Sequence, residues 1–470
     1  MYTQEVMAKT ATCAALPDKR LNKRLQQILM QLEGKLEESI PVAFADPGQS
    51  KAYYRFINHE GVEAQALLEA NRQVVLQQAA QERVVLAVQD TTELDFTGKR
   101  SAKALGCLSY AHQKGLFLHN HLLLDEQGQA LGLLDQQFFE RDASALGGSK
   151  KKRRQPFAHK ESFRWLEQFN QLQECFKDQP HQQVIQICDR EADIHELLQA
   201  RTTTHVHYII RSSQNRTSEW LTTDQKAATQ PAGIYQQMVG KECQFTYQLQ
   251  VDHPQHGKRL AHMQVRYGQL EIKPGYRPKH QPQLAPVKLW VVETTEVEPP
   301  EGVEPLCWRL LTSLPVEDNE QAQRVIGYYT YRWRIERFHF VLKQGGQVEK
   351  LQVQQVEALK KAIILYAWIA LKVLQTQHLL VNQPQAPLTS IGLSELDYLI
   401  AYQYLKSKAI KLPPKSLKPT LIEWAQLMAR IVGGRLPKDN TIGVVTLWRA
   451  YSQFFLIRQA YFAFKDVGNQ

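Results

Sequence analysis

Cysteine is scarce in this chain, six residues in 470, and none of the six (Cys13, Cys107, Cys175, Cys188, Cys243 and Cys307) belongs to a CxxC pair. That spacing argues against a disulfide framework or a structural zinc site and fits a reducing, cytoplasmic setting. Long apolar runs are missing too. The most apolar one, Ala362 to Leu371, is ten residues bounded by Lys361 and Lys372. It is too short to cross a bilayer and reads as a buried helix. The N-terminus has no charged-then-apolar signal pattern, and there is no internal repeat or low-complexity domain. Acid is the charge in short supply: 47 Asp and Glu stand against 57 Lys and Arg, a net charge of +10. Such a surplus favours a polyanionic partner through counterion release, although a basic enzyme without one would carry it as well. The length allows two to four domains with a sizeable core.

Residues 1–75 read as helical. LNKRLQQILMQLEGK places Leu21, Leu25, Ile28, Leu29 and Leu32 at helical spacing, and Lys19, Arg20, Lys23 and Arg24 crowd its first turns. Cations there oppose the helix dipole; a phosphate backbone would favour the placement and a solvated face would tolerate it. SKAYYRFINH, also basic and aromatic, follows the turn ADPG. From about residue 76 the pattern changes. RVVLAVQD and VIQICD are short apolar runs ending in Asp90 and Asp189, HNHLLLD and QALGLLDQQFF read as a meander beside the first, READIHELLQA as a helix and HVHYIIR as a strand. Strands alternating with helices predict an α/β core. Residues 213–305 hold short alternating segments divided by Gly and Pro, which predicts a β-rich insertion. The expected organisation is a helical unit over 1–75, an α/β unit over 76–380 with the insertion at about 213–305, and a helical unit over 381–470. GGSKKKRRQ at 147–155 reads as an exposed basic loop.

The stretch YTYRWRIERFHFVLK, Tyr329 to Lys343, is dense in Arg and aromatics yet holds one acid, Glu336. On a single helix at about 100° per residue, Tyr329, Arg332, Glu336 and Lys343 share one narrow face, with Tyr331, Ile335, Phe338 and Leu342 as a core stripe opposite. Isolated, that row reads as a solvated face with an Arg332–Glu336 pair at i,i+4. The two strand-end aspartates change the weighing, because carboxyl ends of neighbouring strands are where α/β folds gather catalytic groups. Asp90, Asp189 and Glu336 together would repel one another unless a divalent cation neutralised them. Hard oxygen ligands select Mg²⁺ or Mn²⁺, which suit phosphodiester chemistry, and Arg332 and Lys343 would hold a nucleic-acid backbone beside the metal.

These residues carry a resemblance. Tyr329, Arg332, Glu336 and Lys343 occupy a Y-x2-R-x3-E-x6-K pattern similar to the signature of bacterial insertion-sequence transposases, the DDE cut-and-paste group that includes the transposon-five transposase. QDTTELDF around Asp90 and CDREADIHE around Asp189 resemble the segments carrying that family's two catalytic aspartates; LPDKRLNKRL and AYYRFINHEGV resemble its end-recognition domain; ARIVGGRL and TLWRAY resemble its last domain. The resemblance implies a ribonuclease-H-like catalytic core with the β-rich insertion, flanked by an N-terminal helical DNA-end-binding domain and a C-terminal helical domain for dimerisation. The 146 residues between Asp189 and Glu336 leave room for the insertion. It further implies Asp90, Asp189 and Glu336 as catalytic metal ligands for Mg²⁺ (or Mn²⁺), excision through hairpin ends, strand transfer into target DNA, and a homodimer on double-stranded terminal repeats in a bacterial, nucleoid-associated setting. Trp308 matches the family tryptophan that stacks a flipped base, and Arg211 a DNA-contacting arginine; their plain alternatives are a core Trp and a solvated strand-end cation.

Two other readings remain open on the sequence. A ribonuclease-H-like nuclease that cleaves without joining would have the same metal site, but the N-terminal basic helices and the insertion argue for binding a particular end. An inactive, transposase-derived DNA-binding regulator is disfavoured by the presence of all three acids; inverted repeats flanking the gene would discriminate. His119 and His121, in H-x-H on a strand, would point both rings to one face and fit a structural or DNA-proximal role, while His112 and His159 lack ligand spacing. Cys188 alternates away from Asp189 and reads as a core thiol.

Overall fold

A computed structural model describes residues 4–44, 46–141, 156–200, 202–221, 231–253, 257–277 and 283–467. The basic segment 147–155 lies outside the described residues. Five helices come first: Gln4–Cys13, Lys19–Leu32, Ile40–Phe44, Pro47–Ile57 and Ala64–Ala79. The expected helix over LNKRLQQILMQL forms because Leu25, Ile28, Leu29 and Leu32 bury one stripe. Asp18 caps it by accepting from the Arg20 N–H at 2.8 Å, which offsets the crowding of cations at that end.

Among the described residues, twelve strands then make one sheet. They are β1 Val84–Asp95, β2 Gly106–Cys107, β3 Lys114–Leu124, β4 Ala130–Phe139, β5 Gln183–Cys188, β6 Val206–Arg211, β7 Thr217–Trp220, β8 Ala232–Gly233, β9 Phe245–His253, β10 Gly257–Ile272, β11 Val287–Val297 and β12 Cys307–Thr312. The order is β2-β3-β1-β5-β6-β12-β11-β10-β7-β8, with β4 also on β3 and β9 also on β10. β4, β3 and β1 form an antiparallel meander, and β1, β5 and β6 run parallel. This is the mixed α/β arrangement that a ribonuclease-H-like core requires. The strands of the expected β-rich insertion do not form a separate sheet. They continue the core sheet, because β12 pairs antiparallel with β6 through Leu310↔Arg211 to Thr312↔Ile209.

Successive residues of β1 face opposite layers: Leu86, Val88 and Leu94 pack with the N-terminal helices and helix Val356–Asn382, whereas Val85 and Ala87 pack with helix Phe163–Phe176. Helix Val356–Asn382 holds the apolar run Ala362–Leu371 and is buried along most of its length, as a core helix should be. The outer edge of β4 is closed by side chains: Asn71 donates to Leu133 O at 2.6 Å, Arg72 to Leu134 O at 3.3 Å and Gln375 to Ala130 O at 2.8 Å. READIHELLQA, read as one helix, is instead a 3₁₀ turn, Arg190–Ala192, followed by the single turn His195–Leu198. The Asp193 carboxylate interrupts it by turning to the Ser213 and Gln214 N–H groups, at 2.7 and 3.0 Å.

The C-terminal helices Glu395–Ser407, Leu421–Ile431 and Val444–Val467 gather round Trp424, Tyr398 and Phe454. The last of them lies against Gly34, which has φ 73°, and a Cβ there would fall 1.9 Å from the Phe455 ring. Only glycine serves that left-handed, tightly covered position.

Candidate active site

The site forms where β1 parts from β5. The two strands pair from Val84↔Gln183 to Val88↔Ile187, and two residues beyond that last pair stand Asp90 and Asp189. β5 stops at Cys188, but β1 runs on to Asp95 against β3. Asp90 is therefore mid-strand rather than at a strand end. The apolar run stops there because full burial stops, while hydrogen bonding to β3 carries the strand onward. Asp90 Oδ1 accepts the Thr91 N–H at 2.8 Å, and Asp189 Oδ1 accepts the Glu191 N–H at 2.8 Å, capping the turn that follows β5. Cys188 is fully buried on the other face, a core thiol whose pKa burial pushes up.

The third acid approaches on helix Trp333–Phe340, which packs over β1. The expected single helix is broken. Helix Asn319–Thr330 ends before it, and the junction tightens into i→i−3 bonds: Tyr331 N–H to Tyr328 O at 3.1 Å, Arg332 N–H to Tyr329 O at 3.0 Å and Arg334 N–H to Tyr331 O at 2.9 Å. Beyond Phe340 the chain widens into a π turn, Val341–Gly345. Tightening and widening each shift the phase of the helix, so the four signature residues do not form one straight row. Tyr329 is buried and meets Trp308. Arg332 is ion-paired with Glu336, as the i,i+4 spacing predicts, though on a half-buried face rather than a solvated one. Lys343 turns back to β1, its Nζ 2.8 Å from Glu93 O and 3.3 Å from Glu349 Oε1. Ile335, Phe338 and Leu342 form the core stripe as expected.

Electrostatics joins the three acids. The Asp90 carboxyl is pushed up to about 7, first by burial and then by Asp189, with Glu336 adding to the rise; the Thr91 N–H and Arg332 oppose it. A carboxylate raised by two neighbouring acids is the condition that a divalent cation relieves. The all-oxygen donor set suits Mg²⁺ or Mn²⁺. Among the described residues no three such side chains already converge at ligand distance, in keeping with Glu336 being turned toward Arg332.

Around this centre, Trp308 on β12 is partly buried, its ring 5.7 Å from that of Tyr329 at 62°. Arg211, at the end of β6, donates from Nη2 to Cys307 O at 3.1 Å and lies beside Tyr329. Lys19, Arg20 and Lys23 are exposed at the start of their helix, remote in sequence from the acids. Arg24 is less free: its Nη1 donates to Gln49 Oε1 at 2.8 Å, tying two N-terminal helices together. His119 and His121 do point to one face, toward helix Phe163–Phe176, where His119 packs on Trp165 and His121 Nδ1 lies 3.0 Å from Gln168 Oε1.

The structure adds residues that the sequence did not single out. Arg164 Nε donates to Thr91 Oγ1 at 3.2 Å and Nη2 to Glu191 Oε2 at 2.8 Å, so one guanidinium spans the neighbours of both aspartates. His339 and Asn120 lie behind Asp90. Nothing in the local sequence distinguishes Arg164 or Asn120; their roles come from strand register and helix placement.

The described residues thus form a mixed sheet with helices on both faces and two acids just beyond the parting of two parallel strands. Residues 161–371 match the family model described as Transposase DDE domain, and residues 4–62 match that described as Transposase DNA-binding. Together these matches support a DDE transposase. Among solved structures, the chain is similar to the cryo-EM structure of the piggyBac transposase synaptic complex with hairpin DNA, at 10% identity and a TM-score of 0.30. The comparison covers 71% of this chain and 55% of that one, so the chain spans about half the length of that protein. At that score the likeness carries no argument.

Proposed function

We propose that this protein is a DNA transposase of the bacterial insertion-sequence type, resembling the transposon-five group, that cuts at its element's terminal repeats and joins the ends to target DNA. The observation that carries the reading is the placement of Asp90 and Asp189, each two residues beyond the last β1–β5 pair, within a chain whose segments match transposase DNA-binding and DDE models. Asp90, Asp189 and Glu336 would hold the metal. A bound Mg²⁺ or Mn²⁺ would supply activation of the attacking oxygen and stabilisation of the leaving one. The chain's own residues do the rest. Arg332 and Arg211 would face the scissile phosphates, Trp308, backed by the buried Tyr329, would offer an aromatic face for an unstacked base, and Lys19, Arg20 and Lys23 would grip the backbone of the terminal repeat. Cutting both strands from one site proceeds through a hairpin, and a homodimer holds the paired ends.

The test uses end-labelled DNA carrying the inverted repeats that flank the gene. Wild-type protein with Mg²⁺ should nick, form hairpins and join. Asp90→Asn, Asp189→Asn and Glu336→Gln should each abolish every step while leaving gel-shift binding nearly intact. Normal cleavage by Glu336→Gln would falsify the assignment. Cleavage without joining by the wild type would favour a nuclease instead.

A further inference from the structure

The C-terminal helices and their loops carry most of the chain's surplus charge. Between Tyr398 and Lys438 stand eight cations and one acid, Glu423, so these 41 residues of 470 hold +7 of the net +10. Glu423 does not answer them, because its carboxylate caps its own helix, accepting from the Thr420 N–H at 2.8 Å and from Thr420 Oγ1 at 3.1 Å. Lys406 and Lys408 close helix Glu395–Ser407, and Lys411, Lys415 and Lys418 follow on the segment KLPPKSLKP. Arg435 and Lys438 lie in the loop after helix Leu421–Ile431. All seven are exposed, and among the described residues none of them forms an ion pair.

The segment KLPPKSLKP is a strap tied down through its backbone. Tyr402 Oη donates to Pro413 O at 2.9 Å, and Arg430, near the end of the following helix, donates to Lys411 O. Thr420, just past the strap, bridges to Pro387. None of these ties uses a lysine ammonium, so the lysines are left free for a ligand. The Arg430 contact also brings the end of helix Leu421–Ile431, and with it the loop bearing Arg435, back beside Lys411. Pro413 and Pro414 favour an extended course at about 3.1 Å per residue, which sets Lys411 and Lys415 on the order of 12 Å apart. That span matches about three phosphates along one DNA strand. Six of the seven cations are lysines, flexible point charges that suit phosphate oxygens and read no base edge as a guanidinium or amide fork does. We propose that this strap and the cations beside it form a surface for the backbone of duplex DNA, additional to the N-terminal basic helix and the acids. It takes DNA of any sequence, as target or flanking DNA is. The inference rests on DNA being the substrate, as proposed above.

The experiment uses the full-length protein and two duplexes of equal length, one carrying the terminal repeat and one without it, in anisotropy titrations at several salt concentrations. Changing Lys411, Lys415 and Lys418 together to Gln removes three charges and keeps the backbone ties of the strap. On the repeat-free duplex that variant should lose about 2–3 units of log–log salt slope and bind roughly 10-fold or more weaker at about 0.1 M salt. Lys415→Gln alone should lose about one unit. A control with Lys103, Lys177 and Lys288 changed to Gln has the same charge loss at exposed positions elsewhere and should keep most of the slope. An unchanged slope in the strap variants, or an equal loss in the control, overturns the proposal. A loss confined to single-stranded RNA or to phosphatidylserine vesicles would give the strap another partner and overturns it as well. The two levels separate cleanly. Wild-type protein that binds duplex through the strap but never cuts at the repeats sinks the transposase reading alone, whereas cutting at the repeats with an unchanged slope in the strap variants sinks the strap alone.

Discussion

Tyr329 stands edge-on to Trp308, the two rings 5.7 Å apart and inclined at 62°. Tyr329 is buried, so Trp308 is the ring of the pair that keeps some exposure. Hairpin formation strains the backbone and unstacks a base, while first-strand nicking does neither to the same degree. Trp308→Ala should therefore nick nearly normally and form hairpins slowly, with partial rescue by an abasic site at the flipped position; stacking of this kind is worth ~1–3 kcal/mol. A time course resolving nick, hairpin and blunt product reads it. Equal slowing of both steps would reduce Trp308 to a packing role.

Lys19, Arg20 and Lys23 project from a helix whose amide end is already satisfied by Asp18. Changing all three to Gln should leave the fold alone and lower the salt dependence of DNA binding by about one unit of log–log slope for each phosphate that the side chains no longer neutralise. Gel shifts at several salt concentrations measure the slope. An unchanged slope would place the phosphate-binding residues elsewhere.

Lys372 and Glu33 form a buried ion pair joining the first long helix to helix Val356–Asn382. Breaking a buried ion pair on one side is destabilising, so Lys372→Met should cost ~3–5 kcal/mol. Lys372→Met combined with Glu33→Leu should cost less than either change alone. Urea unfolding of the three variants gives the comparison, and simple additivity would contradict the pairing.

His121 is fully buried, and burial holds its pKa down to about 4, with Arg72 lowering it further and Gln168 and Asp135 opposing. The unfolded chain takes up that proton near the ordinary histidine value, but the folded one does not. Stability should thus fall as pH drops from about 6.5 to about 4 and level off below, a decrease of roughly 3 kcal/mol from this residue. His121→Asn should flatten that part of the stability–pH curve. A curve with the wild-type slope would mean that His121 titrates normally.

The strands leading to Asp90 and Asp189 were legible because burial on both faces leaves a mostly apolar run, with only Gln89 in one and Gln186 in the other, and the run ends visibly at the first acid. The core stripe Ile335, Phe338 and Leu342 was legible from helical period alone. What the sequence hid depends on partners distant along the chain. The kink between Tyr329 and Arg332 has no proline or glycine to announce it; packing of Tyr329 under Trp308 accompanies it. READIHELLQA has helical composition, and the Ser213 and Gln214 amides with the Arg216 guanidinium, a strand away, draw Asp193 out of it. Asn120 sits opposite Asp90 through strand register, which neither strand records by itself.

The pairing of β12 with β6 sets the mechanics of the site. Asp189 follows β5, β6 lies next, and Trp308 is on β12, so two strand spacings, about 10 Å, separate them across a continuous lattice of backbone hydrogen bonds. A sheet of this kind bends as a whole but does not shear between adjacent strands without breaking its bonds. Trp308 is thereby held at a fixed distance from the second aspartate. On the proposed function, DNA held at the acids would have to deform to meet Trp308, and the work of distortion would fall on the nucleic acid rather than on the protein.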